Sequence, residues 1–248
     1  MLPAEAIFSK ETFRFFHDLG KNNRKTWMDK NRERYQTALV QPLRRFLEEL
    51  TPAVLDLDDR FDTTGRTGAN FSRINRDIRF AKDKTLYKTH MYLKFQQPLS
   101  GDRESGQLYV GLTANMITVG FRLYAGSKRR ESLLALIAEP RIASNPEWVA
   151  QQKKRLGRRY DSYWYSTVKG EWRKHEGWPV DPENWKKIQA WVVRKKMTPS
   201  AAVRSSFSKE VMNVFKDVYP LLKFTSLPDW DARPEQVAQA FLGTKDPL

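Results

Sequence analysis

Leu108-Tyr109-Val110-Gly111-Leu112-Thr113-Ala114-Asn115-Met116-Ile117-Thr118-Val119-Gly120-Phe121 is the stretch on which the fold turns. Apolar side chains alternate at Leu108, Val110 and Leu112, and again at Ile117, Val119 and Phe121. A period of two sets one face of a strand against a core. Residues 113–116 suit a hairpin turn between the two runs, so the strands are antiparallel. Met91, Leu93 and Phe95 repeat the alternation upstream, and residues 101–106, with Asp102, Arg103 and Glu104 between glycines, suit a further hairpin loop.

The flanks of these strands read as helix. Phe8 and Phe13 bracket Ser9 as a hydrophobic staple around an N-cap, Phe16 and Leu19 extend the stripe, and Gly20 supplies a C-cap. Asn22 or Asn23 then caps a helix carrying Trp27, Tyr35 and Leu39, and Pro42 opens another with Leu43, Phe46, Leu47 and Leu50. Downstream, a helix is expected over 129–138 and a second from an Asn145 cap, with Pro146 first, to about Tyr160. Residues 188–196 fit strand or helix, and Val211, Met212, Phe215 and Val218 mark a final helix that ends near Pro220. Helices, then strands, then helices predict a single α+β domain over residues 1–248, with helices packed on an antiparallel sheet.

Composition narrows the function. With no cysteine, disulfides, thiolate catalysis and cysteine-held zinc are all excluded. His17, His90 and His175 lack metal-ligand spacing, so no metal site and no cofactor is expected from them. No apolar run reaches the roughly 18 residues of a membrane span, and Met1, Leu2, Pro3, Ala4 and Glu5 lead into an amphipathic pattern rather than a signal peptide. A cytoplasmic protein without membrane contact is the expectation. The net charge of +15 is uneven: residues 1–60 hold 11 basic and 10 acidic groups, residues 61–210 hold 29 and 14, and residues 211–248 hold 4 and 5. The central excess favours anions, whether nucleic acid or phosphorylated metabolites, over neutral partners.

That excess is densest at residues 73–88, where Arg73, Arg76, Arg79, Lys82, Lys84 and Lys88 surround Asp77 and Asp83. The run Arg76-Asp77-Ile78-Arg79-Phe80-Ala81-Lys82-Asp83-Lys84-Thr85-Leu86-Tyr87-Lys88 resembles the hallmark of a bacterial family of conserved hypothetical proteins, Arg-Asp-x-Arg-Phe-x-x-Asp-Lys-x-Pro-Tyr-Lys, with Leu86 in place of the proline. Asn22, Asn23, Arg24 and Trp27 resemble the family's Asn-Asn-Arg-x-x-Trp segment, and the likeness resumes from Phe215 through Pro220 to Phe224. Residues 156–185 do not follow the pattern. The resemblance implies a domain of unknown function and carries no activity.

The residues themselves support three readings. In one, Asp77 and Asp83 lock the arginines into a purely structural network. In the second, Arg73, Arg76, Arg79, Lys84 and Lys88 contact an anion, with Asn23, Arg24 and Trp27 in support; arginine suits this because its planar fork pairs with phosphate or carboxylate through two parallel bonds. In the third, Asp77 or Asp83 is an acid–base residue of an enzyme acting on a small phosphorylated or carboxylated substrate, with Tyr87 nearby.

Ser127, Lys128 and Arg129 stand at an expected strand-to-helix turn, where a helix start crowded with cations suits a share in the same anion. Tyr160, Tyr163, Trp164, Tyr165, Trp172, Trp178, Trp185 and Trp191 alternate with arginines and lysines, a pattern that serves either base stacking or a core. The expected function is binding of an anionic, phosphate-bearing ligand, with nucleic acid as the polymeric candidate.

Overall fold

A computed structural model describes residues 6–79, 81–97, 106–124 and 133–226. It contains a six-stranded antiparallel sheet together with helices, an α+β fold. The strands are β1 (His90–Phe95), β2 (Gln107–Thr113), β3 (Ile117–Tyr124), β4 (Asp161–Val168), β5 (Glu171–Glu176) and β6 (Ala190–Met197), in the spatial order β1-β2-β3-β6-β4-β5. The order explains the burial. Edge strand β1 alternates half-buried and buried residues, β2 and β3 are buried almost throughout, and edge strand β5 is exposed along nearly its whole length. In the register Tyr92 faces Gly111, where a Cβ would stand 2.6 Å from the Tyr92 ring, so only glycine admits that side chain. The turn expected at 113–116 is present, closed by the Thr113 amide on the Met116 carbonyl at 3.0 Å.

The chain divides into two compact units drawn from interleaved segments. The first takes the described residues through Gln96 with Leu108–Gly120 and Arg194–Lys216. It holds α1 (Lys10–Lys21), α2 (Lys25–Lys30), α3 (Arg32–Tyr35), a π-helical turn (Gln36–Val40) and α4 (Gln41–Leu57). Ser9 caps α1 as expected, accepting the Glu11 amide, and Phe8, Phe46 and Phe207 meet ring to ring at 5.2–6.0 Å. Helix α1 runs past Gly20, and Asn22 ends it by donating its amide to Asp18 and Leu19 and its side chain to Asp18. Neither Asn22 nor Asn23 therefore starts α2, whose N-cap is Arg24. The π turn has a local cause. Pro42 has no N–H to give the Ala38 carbonyl four residues back, and the Thr12 hydroxyl donates to that carbonyl instead, fully buried, at 2.8 Å.

The second unit takes Phe121–Val193 with the described residues of Gln97–Gln107 and those from Asp217 onward. It contains α5 (Glu139–Ala143) after a second π turn (Leu134–Ala138), α6 (Glu147–Leu156) and α7 (Pro182–Trp185). Asn145 does not cap α6. Its side chain donates back to the Arg141 carbonyl, Pro146 takes the cap position, and the helix stops at Leu156, short of Tyr160. Within residues 156–185, where the family pattern was not followed, Asp161–Val168 and Glu171–Glu176 form the β4–β5 hairpin across Lys169 and Gly170, both at positive φ. Its aromatics are mostly core. Trp191 is buried among Phe121, Trp148, Trp178 and Trp185 at 5.2–6.5 Å, and Tyr160, Tyr163 and Trp164 are also buried, leaving Trp172 as the exposed ring at 54%.

Two helices follow β6: α8 (Pro199–Ala202) and α9 (Phe207–Ser226). Helix α9 passes through Pro220 instead of ending there. Burying Leu221 and Leu222 at about 1.5–3 kcal/mol each outweighs the roughly 3 kcal/mol that an internal proline costs. No described helix is long and apolar enough to cross a membrane.

A cationic cleft beside strand β1

The signature region is a looped segment held to one edge of the sheet. Phe71 bridges Leu93 and Asn75 bridges Tyr87, both antiparallel, so residues 71–76 run beside β1 and its approach. Ser72 exchanges hydrogen bonds with Tyr92, N–H to carbonyl at 3.0 Å and N–H to Oγ at 2.9 Å. Further along, the Lys88 amide donates to the Ile74 carbonyl at 2.8 Å and the Arg76 amide to the Leu86 carbonyl at 2.9 Å.

Two asparagines finish the scaffold. Asn70, fully buried, accepts the Gly65 amide and donates to the Asp62 and Lys94 carbonyls. Asn23 mimics a neighbouring strand: its Nδ2 donates to the Tyr87 carbonyl at 2.7 Å while its Oδ1 accepts the Tyr87 amide at 2.9 Å. Asn70 was missed from sequence because a lone asparagine in a polar loop signals a turn before it signals a buried clasp.

This scaffold frames an open cleft of about 720 Å³ lined by Arg73, Arg76, Asp77, Arg79 and Lys88 with Gly68, Ser72, Asn75 and Ile78. Four of the five expected anion contacts within residues 73–88 therefore share one concavity. Lys84 is the exception, for its Nζ donates to the Ile78 carbonyl at 3.0 Å and does not line the cleft. Asp77 is the one carboxylate among the described residues that line the cleft. It accepts the Arg79 fork through both oxygens at 3.0 and 2.7 Å and the Arg79 amide at 3.2 Å, an arrangement that fixes the guanidinium plane. The Arg79 side chain in turn holds the Asp77 carboxyl below its ordinary value. Asp83 is likewise lowered, first by the Thr85 amide and then by Arg76, which contacts both Asp83 and the Thr85 hydroxyl. Both carboxyls are exposed and stay ionised at neutral pH, where they act as acceptors that orient arginines.

Arg73 and Lys88 differ from these paired cations. Among the described residues neither has a carboxylate partner, and both line the cleft. Arg73 also lines a second, smaller cavity of about 300 Å³ that shares Ser72, Arg73 and Asn75 with the cleft. Its remaining wall is largely apolar, with Tyr35, Val40, Leu43, Phe71, Ile74 and Met91, joined by Arg32, Arg44 and Thr67. Arg44 too has no carboxylate partner among the described residues.

The other expected residues fall elsewhere. The Tyr87 side chain is buried and its peptide is held by Asn23, so it lines neither space. Arg24 is an exposed cap residue, and Trp27 packs on Phe15 at 5.6 Å. Ser127, Lys128 and Arg129 lie outside the described residues, as do Phe80 and all of the 101–106 loop except Gly106. Residues 11–224 match the model of a family described as conserved hypothetical protein, and no curated protein matches the chain.

Proposed function

The chain belongs to the DUF2461 family of conserved hypothetical proteins, and since that membership carries no activity with it, we propose from the site that it binds an anionic, phosphate-bearing ligand in the cleft of Arg73, Arg76, Arg79 and Lys88. The observation that carries this reading is the imbalance of the lining among the described residues, four cations to one carboxylate, with Arg73 and Lys88 lacking an acidic partner among them. A purely structural network would pair its charges, whereas a receptor for anions keeps some in reserve. The arginine forks held by Asp77 and Asp83 support it further, because a guanidinium oriented beforehand loses less freedom when it meets a phosphate. A cytoplasmic setting, rich in phosphorylated metabolites and nucleic acids, suits the reading.

Fluorescence anisotropy with a labelled single-stranded oligonucleotide, alongside calorimetry with inorganic phosphate, tests it. Four phosphate contacts predict a slope of log affinity on log salt of about −2.8, a loss of about 50-fold between about 50 and 200 mM. Replacing Arg76 and Arg79 with alanine leaves two contacts and about half that slope. Absence of binding to both probes at about 50 mM salt, or a slope indifferent to the two substitutions, refutes the proposal.

A further inference from the structure

The cavity behind Arg73 has a different chemistry from the cleft it adjoins. A phosphate gains nothing from Val40, Leu43, Phe71, Ile74 and Met91, and a polymer lying along the cleft has no need of an apolar cavity beside it. Yet the two spaces share Ser72, Arg73 and Asn75, so one ligand can occupy both. Resting on the anion-binding reading above, we propose that the ligand is a small bipartite molecule, a phosphate monoester joined to a planar ring system with apolar faces, of which a mononucleotide is one example.

Three observations specify the ring. The cavity of about 300 Å³ lies at the small end of the range for organic ligands, enough for one ring system and not for a lipid tail. Its wall carries two aromatic rings, Tyr35 and Phe71, on which a planar group stacks. Its charged members among the described residues are all arginines, Arg32, Arg44 and Arg73, with no described carboxylate in the lining. Guanidinium planes lie flat on aromatic faces, and the absence of acid disfavours a cationic ring.

The shape of the chamber follows from the chain. Val40 closes the π turn that Pro42 imposes, and the Thr12 hydroxyl on Ala38 holds that turn in place. Phe71, Ser72 and Ile74 come from the segment tied to β1. Binding energy from the ring would thus be collected on a preformed surface, which is where shape selects one monophosphate over another.

The test is isothermal titration calorimetry of the full chain with inorganic phosphate, adenosine 5′-monophosphate and adenosine, repeated with Val40→Phe, which fills the chamber. The expected result is a nucleotide affinity at least about tenfold above that of phosphate, an excess that Val40→Phe abolishes while phosphate binding stays unchanged. Thr67→Phe, entering from the exposed side of the same cavity, replaces Val40→Phe if that variant loses its native circular dichroism. Phosphate binding with no nucleotide advantage, or an advantage that survives the filling substitutions, overturns this inference and leaves the cleft standing. Failure of both phosphate and nucleotide to bind overturns the cleft and the inference together.

Discussion

Asn23 sits 64 residues from Tyr87 and makes two hydrogen bonds to its backbone, so Asn23→Ala removes a clamp and leaves both an amide and a carbonyl without that partner. A hydrogen bond of this kind contributes about 0.5–1.5 kcal/mol net, so two of them come to about 2 kcal/mol. In a chain of 248 residues each kcal/mol moves Tm by about 2–4 °C, which predicts a fall of about 4–8 °C. Asn23→Asp sharpens the test. The new carboxylate still accepts the Tyr87 amide, but it can no longer donate to the Tyr87 carbonyl and repels it. Protonation restores the donor, so the folded-state pKa of the new carboxyl lies above its unfolded value of about 3.9. Its stabilising contribution is therefore present below that value and lost as pH rises through the folded pKa. Thermal melts followed by circular dichroism at pH 4 and pH 7 read both effects. A loss below about 1 °C for Asn23→Ala, or an Asn23→Asp deficit that shrinks as pH rises, refutes the clamp.

The remaining predictions concern other contacts. Thr12→Val keeps shape but withdraws the hydroxyl that donates to the Ala38 carbonyl, at a cost of about 1–3 kcal/mol in urea unfolding. In a Pro42→Ala background the restored amide can serve that carbonyl, and the cost of Thr12→Val shrinks; equal costs in both backgrounds refute this coupling. Carboxyl NMR titration should place Asp77 and Asp83 below the ordinary 3.8, so whatever stability their pairing carries is present above that range and fades as pH falls through the lowered values. Arg79→Ala should return Asp77 towards 3.8 and leave Asp83 low, because Asp83 is held first by the Thr85 amide. Leu86→Pro should change stability by less than about 1 kcal/mol, since the Leu86 carbonyl, not its amide, carries the bond to Arg76.

What the sequence alone determined was whatever is local or periodic. Alternation at Leu108, Val110 and Leu112 marked a strand because the period of two is set by the backbone itself, and Ser9 marked a helix start because a cap bond spans two residues. The cluster in residues 73–88 was legible as charge for the same reason, all of it lying within one stretch. The hairpin of β4 and β5 was not, because β5 is an exposed edge strand and displays no apolar alternation to read. Helix α9 outran Pro220 because its burial, a tertiary quantity, outweighed a local penalty.

Tertiary structure decided which cations face one space and which are spent elsewhere. Lys84 and Lys88 look alike in sequence, yet one binds a carbonyl and the other lines the cleft. It likewise brought Val40 and Arg44 around one cavity with Phe71 and Arg73, and tied Asn23 to Tyr87. Such proximities depend on how helices dock and how strands register, and no spacing along the chain encodes them by itself.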